Sequence, residues 1–139
     1  MFRIVQNQED LLKVMMVRAI VFMEEQHVPY CMEVDKHEFS TVHVLGEIDG
    51  EPVAAGRIRF EPGFAMLQRL AIRRAWRGNG SGRNLIEFMI SQAKQRGFNR
   101  FELHAQTQAQ GFYEKNGFRA DGDPFMEAGI EHIAMIRED

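Results

Sequence analysis

The run RRAWRGNGSGRNL, residues 73–85, carries three glycines within five positions and arginines on both sides. It follows FAMLQRLAIRR (64–74), a stretch with strand character, and leads into GRNLIEFMISQAKQRG (82–97). In the latter Leu85, Ile86, Met89, Ile90 and Ala93 fall on helical spacing. The run therefore turns a strand into a helix. The first turn of a helix has unpaired N–H groups and partial positive charge, and glycines let an anion approach the backbone. No acidic residue lies between Glu61 and Glu87, while Arg69, Arg73, Arg74, Arg77 and Arg83 all fall there. A phosphate-bearing ligand is the expectation at this turn.

Outward from it, the elements read as a mixed sheet with helices. FRIVQ (2–6) is a short first strand. Asn7 is a suitable N-cap for a helix to about residue 23, with Glu9 and Asp10 in its first turn. Val28-Pro29 ends that region, and 30–40 reads as loop or irregular helix. TVHVLGEIDG and EPVAAGRIRF are β-rich runs joined at Asp49-Gly50, a hairpin signal. Gly97, after Lys94 and Arg96, ends the long helix. FNRFELHA is another strand, with Phe101, Leu103 and Ala105 on one face. TQAQ (107–110) fits a capping box opening a short helix that Asn116-Gly117 closes. GFRAD and EHIAMIRED supply two last strands. The order suits an α/β (α+β) domain spanning 1–139 with one core.

Bulk properties exclude several classes. The chain has 139 residues, 45% of them apolar, and no run long enough to cross a bilayer. A formal charge of −3 gives no overall attraction to nucleic acid. The single cysteine, Cys31, forms no internal disulfide, and no signal peptide opens the chain; the cytoplasm is the expected location. Cys31 lacks the local signature of a nucleophile, and the five histidines show no tight metal-ligand spacing, so no metal is expected. Between Glu24 and Glu51 stand eight acids against one base, Lys36, a segment that suits a cation or a solvated surface.

Two phosphate-binding patterns fit poorly. Gly82 is followed by Arg83 and Asn84 rather than Lys and Ser/Thr, so the run is no Walker A loop. G-x-G-x-x-G fails at its third glycine from either Gly78 or Gly80, although Glu102 stands about twenty residues on, where a ribose-binding acid belongs. A nucleotide-binding oxidoreductase using Glu102 thus stays a rival.

Arg77-x-x-Gly80-x-Gly82 resembles the pyrophosphate loop of the GNAT superfamily of N-acetyltransferases. QGFYEKNGF (110–118) resembles that family's other recurring element, in the same order. Arg18, Val21-Phe22, Glu25-Gln26 and Val28-Pro29, then Glu33-x-Asp35 and EAGIEHIAM (127–135), are similar to its ElaA/YjcF-like branch, so the resemblance spans nearly the whole chain. It implies a mostly antiparallel mixed sheet of about six to seven strands with about four helices. It also implies transfer of an acetyl group from acetyl-CoA (coenzyme A) to a primary amine of a small molecule or peptide.

By the same resemblance the diphosphate would lie on Arg77, Gly78, Asn79, Gly80, Ser81, Gly82 and Arg83. The main chain of Leu70, Ala71 and Ile72 would pair with the pantetheine arm, Leu70 N–H facing the thioester oxygen. Tyr113 matches the proposed general acid. An amine needs a base at neutral pH; Glu24, Glu25, Glu33, Asp35, His104 and His132 are candidates, with His132 and Glu25 foremost. Arg18 and Arg69 suit an acceptor carboxylate. The acidic segment instead suggests a cationic acceptor, and the two hints stay unranked. A coenzyme-A-binding module without catalysis is the alternative function. A homodimer is open.

Overall fold

The computed structural model describes residues 1–139. In chain order its elements are β1 (Phe2–Ile4), α1 (Gln8–Arg18), α2 (Tyr30–Glu33), β2 (Val42–Ile48), β3 (Glu51–Glu61), β4 (Phe64–Ile72), α3 (Ser81–Gln95), β5 (Arg100–Gln106), α4 (Gln110–Lys115), β6 (Arg119–Ala120), β7 (Phe125–Glu127) and β8 (Ile130–Glu138). The eight strands form one sheet in the order β1-β2-β3-β4-β5-β8-β6, with β7 also on β8. All neighbours are antiparallel except β4 and β5.

Local sequence explains most of these elements. The Asn7 side chain accepts the Asp10 N–H at 2.8 Å and caps α1. The helix continues past Arg18 as a π-helical segment, Ala19–Glu25, so it ends near the expected position with wider turns. Asp49 and Gly50 both take positive φ, as a two-residue hairpin turn requires. Beyond α3, Phe98 N–H bonds to Ala93 O at 3.1 Å and Gly97 N–H to Lys94 O at 2.9 Å, closing the helix with a Schellman motif.

The sheet is covered on both sides. Leu85, Ile86, Met89, Ile90 and Ala93 of α3 pack on Val44, Ile58, Leu67, Phe101, Leu103 and Met135. On the opposite face Val14, Val17 and Val21 meet Leu45, Ala55 and Ala71. Adjacent residues such as Val44 and Leu45 therefore enter different cores. This is why β2 and β3 read as near-continuous apolar runs rather than alternating ones. No helix is long and apolar enough to cross a membrane.

Two local readings are corrected. The strand count is eight, because Phe125–Glu127 forms β7. It turns into β8 through Ala128 and Gly129, both at positive φ, and Ala-Gly is a weaker turn signal than Asn-Gly. TQAQ makes no capping box: the Thr107 hydroxyl donates to Glu131 Oε1 at 3.0 Å, and α4 has no side-chain cap. Segment 30–40, read as loop or irregular helix, contains the short α2.

Candidate active site

Strands β4 and β5 are paired only at Ala65–Phe101 and Met66–Glu102, although both continue toward their C-terminal ends. Beyond that point a cavity of about 500 Å³ lies between them, with walls that include Phe22, Arg69, Leu70, His104, Gln106, Tyr113, Glu127 and His132. A break in a parallel sheet at strand C-termini is where α/β proteins commonly bind ligands. Gln106 spans from β5 to the end of the first helix, its Nε2 donating to Gln26 Oε1 at 2.7 Å.

One wall is shaped by a bulge. Ala55 pairs with Ala71 and Arg57 with Gln68, so Arg69 and Leu70 oppose Gly56 alone. Arg69 sits at φ +53°, a strained value for a side-chain-bearing residue. Arg69 and Leu70 both line the cavity at this bulge, and Ala71 and Ile72 resume pairing with β3.

Past Ile72, a 3-10 turn, Arg74–Trp76, precedes the glycines, and the Arg73 guanidinium stacks over the Trp76 ring at 5.0 Å. Gly78 and Gly80 hold φ of +84° and +87°, which explains two of the three glycines. The third has another cause. A Cβ on Gly82 would stand 3.0 Å from Phe112 Cζ, so this glycine admits α4 against the start of α3. Asn79 Oδ1 accepts the Ser81 hydroxyl at 2.6 Å. The backbone N–H groups of Gly82 and Arg83 have no protein acceptor, and no acid stands in the first turn of α3. That end is complementary to an anion. The Arg83 side chain is exposed and unpaired.

Arg77 folds back instead of reaching outward. Its Nε donates to Ile72 O at 2.7 Å and its Nη2 to Glu25 Oε2 at 2.6 Å. Glu25, expected as a base, is thereby committed to the loop and does not line the cavity. Glu24 is exposed and also outside it.

Tyr113 projects from α4 into the cavity, its ring packed edge-on against Phe112 at 5.2 Å and Phe118 at 6.1 Å. Its hydroxyl has no hydrogen-bond partner in the protein, and burial pushes the phenol up to about 12. His132, buried on β8, donates from Nδ1 to Ile130 O at 2.7 Å, which leaves Nε2 as the free nitrogen. Nε2 stands 3.8 Å from Glu127 Oε2, and Glu127 Oε1 accepts His104 Nδ1–H at 2.9 Å. Phe125 packs edge-on against His104 at 5.0 Å and stacks on His132 at 6.2 Å. Glu127 opens the run EAGIEHIAM but was not singled out as a site residue, because β7 went unrecognised. The alternation Phe125–Glu127 across a two-residue turn from Ile130–His132 was the signal for both.

The two arginines expected at an acceptor carboxylate part company. Arg18 is 1% exposed. Its Nε donates to Glu33 Oε1 at 2.6 Å, Nη1 to Glu38 Oε1 at 2.7 Å, and Nη2 to Glu38 Oε2 and Glu33 O, both at 2.8 Å. Arg18 is therefore a corrected assignment: it is a buried strut and meets no acceptor. Arg57, fully buried, holds Asp35 bidentately at 2.8 and 2.9 Å and Glu38 at 3.0 Å. Glu33, Asp35 and Glu38 thus turn inward onto arginines, so this part of the acidic segment Glu24–Glu51 is neither a cation site nor a solvated surface. Arg69 remains on the cavity wall, held by longer contacts of 3.1–3.4 Å to Glu33 O, Met32 O and Asp35. Burial, and then the charges of Arg57 and Arg18, pull its pKa down.

Glu102 is bound by Arg100 Nε at 2.9 Å at the closed end of the β4–β5 pair, away from the glycine turn. The ribose-acid role has no site there.

The comparisons agree with this geometry. Residues 8–138 match a family model described as an acetyltransferase (GNAT) domain. The chain is 37% identical over 137 residues to YjcF of Bacillus subtilis, described as an uncharacterized N-acetyltransferase, with 97% of each chain covered. It is 30% identical over 137 residues to the protein ElaA of Escherichia coli, covering 93% of this chain and 88% of ElaA. The crystal structure of ElaA superposes with a TM-score of 0.89 at 26% identity over 99% of both chains. An acyl-CoA N-acyltransferase structure from Pseudomonas aeruginosa gives 0.89 at 28% identity over 99% and 98%. From the split between β4 and β5, the bare N-terminus of α3 and a match along almost its whole length, the chain belongs to the GNAT acetyltransferase family.

Proposed function

We propose that the protein transfers an acetyl group directly from acetyl-CoA to a primary amine. The observation that carries the reading is the free N–H pair of Gly82 and Arg83 at the start of α3, where α4 packs against Gly82, with the unpartnered Tyr113 hydroxyl of α4 on the cavity wall. The residues fit the coenzyme. Arg77 to Arg83 would hold a diphosphate through main-chain N–H groups and the free Arg83 charge. The main chain of Leu70, Ala71 and Ile72 would receive the arm. When bound, the coenzyme supplies an activated acyl group as a thioester.

The residues around it then act as follows. His132 Nε2 takes one proton from the acceptor's ammonium and passes it to solvent. The neutral amine attacks the thioester carbonyl carbon, while Leu70 N–H donates to the oxygen as negative charge grows there. Such a donor contributes on the order of 3 kcal/mol. The C–N bond forms and the C–S bond breaks. The sulfur leaves as a thiolate and ends with the second proton of the amine nitrogen, so the net yield is amide, thiol and one proton. Tyr113, which keeps its proton to about pH 12, acts chiefly by donating a hydrogen bond to sulfur. Full transfer from so weak an acid to a thiolate of ordinary pKa, about 8.5, runs uphill. The desolvation that raises the phenol also raises the thiolate, which narrows that gap.

Calorimetry with acetyl-CoA and a thiol-release screen over amines test the reading. Saturable binding and amine-dependent thiol release are expected. No heat of binding would overturn it.

A further inference from the structure

Glu127 and His132 face each other in a way the protein does not satisfy. His132 has its Nδ1 proton on Ile130 O, so in the neutral ring Nε2 offers only a lone pair. Glu127 Oε1 is taken by His104, and Oε2 points at that lone pair from 3.8 Å. Two acceptors confront each other on the cavity wall with no donor between them. A single ammonium group, with three N–H donors, complements both.

The same cavity carries an opposite pole. Arg69 contributes its guanidinium to the wall and has no contact at Nη1, which leaves two N–H groups for a ligand. The His104 hydrogen bond is the largest cause that lowers the Glu127 carboxyl pKa, and the charge of Arg69 adds to it. The remaining acids of the wall, Glu33 and Asp35, are spent on Arg18 and Arg57, with longer contacts to Arg69 itself. A second ammonium, as in a polyamine, would meet Arg69 and no unpaired acid.

Resting on the acetyl-transfer reading, we infer that Glu127 receives the acceptor's ammonium beside His132 and that Arg69 receives a carboxylate, so that the acceptor is a small free amino-carboxylate. The Glu127 carboxylate holds the amine against Nε2, and Arg69 sets the opposite end of the molecule.

The test uses the full chain, acetyl-CoA, a panel of α- and ω-amino acids, their carboxamides and decarboxylated amines, and the polyamines spermidine and putrescine. Thiol release with at least one amino acid is expected, with KM about 10-fold or more higher for its carboxamide. Glu127→Gln is expected to raise KM for that amino acid about 10-fold with acetyl-CoA affinity unchanged. Arg69→Gln should abolish the preference for the acid over its amide. Turnover of decarboxylated amines or polyamines at equal or lower KM overturns the inference, as does an unchanged KM in Glu127→Gln. Binding of acetyl-CoA with no turnover of any amino acid overturns it as well. None of these results touches the acetyl-transfer reading, which fails separately if acetyl-CoA does not bind.

Discussion

At the scale of single residues, the contrast between Tyr113 and Arg18 separates chemistry from support. The Tyr113 hydroxyl bonds to nothing in the folded chain, so its removal costs the fold little. Tyr113→Phe is expected to lower kcat about 100-fold while thermal stability and acetyl-CoA affinity stay unchanged. Stopped assays of thiol release beside calorimetry check this, and an unaltered kcat refutes the role. Arg18 is the reverse. Replacing it with Ala leaves Glu38 with Arg57 alone and Glu33 with only the more distant Arg69, both acids being 3% exposed. A loss of about 3–5 kcal/mol is expected, seen as a melting point lower by about 10 °C or more. A small change would mean that the two acids find other partners.

At the scale of elements, α3 does two jobs with conflicting demands. Its first turn contains no acid, although an acid there would stabilise the helix by about 0.3–1 kcal/mol. The helix forgoes that gain and keeps its N-terminus attractive to an anion. Arg83→Glu should therefore move two quantities in opposite directions. Stability rises by about 0.5 kcal/mol, read from urea unfolding, and affinity for acetyl-CoA falls about 10-fold, read by calorimetry. If affinity is unchanged, the diphosphate does not sit at this turn. The bulge in β4 plays the comparable part on the other wall, since it places Arg69 and Leu70 at the cavity.

At the scale of the whole molecule, the buried ion network ties segment 30–40 to α1, β3 and β4, and it sets the response to acid. Burial alone would raise the Glu38 carboxyl, but the hydrogen bonds from Arg18 and from the Asp35 N–H, with the charge of Arg57, hold it down to about 2 from an ordinary 4.5. Asp35, also opposed by burial and held by Arg57, is likewise well below the usual carboxylate range. A carboxylate with a depressed folded-state pKa stabilises the native state fully above its unfolded pKa, and that contribution is lost as pH falls toward the folded value. For Glu38 the window is about pH 4.5 down to 2, and the loss is on the order of 3 kcal/mol. Unfolding midpoints in urea should decline gently below pH 6.5, where burial lowers the His43 pKa and the unfolded chain alone takes up that proton, and fall steeply below pH 4.5. In Arg18→Ala that fall should be shallower, because one of the partners that holds Glu38 ionised is gone. An equally steep fall in the variant would assign acid sensitivity to surface pairs such as Arg3–Asp10.

What the sequence determined by itself was the order of elements, the apolar face of α3, the hairpin at Asp49-Gly50, the helix stops at Gly97 and Gly117, and the strand-to-helix glycine turn at Gly78–Gly82. Each is decided by dihedral freedom, capping or periodicity within a few neighbouring residues, so it is legible in one dimension. The tertiary structure alone decided the partners. It paired Glu25 with Arg77, 52 positions away, and Gln26 with Gln106, 80 positions away. It turned Glu33, Asp35 and Glu38 inward and took Arg18 out of reach. It also brought Glu127, from an unrecognised strand, between two histidines. Charged side chains satisfy whichever opposite charge the chain crossing sets beside them, and the crossings follow from packing two cores against one sheet rather than from any local pattern.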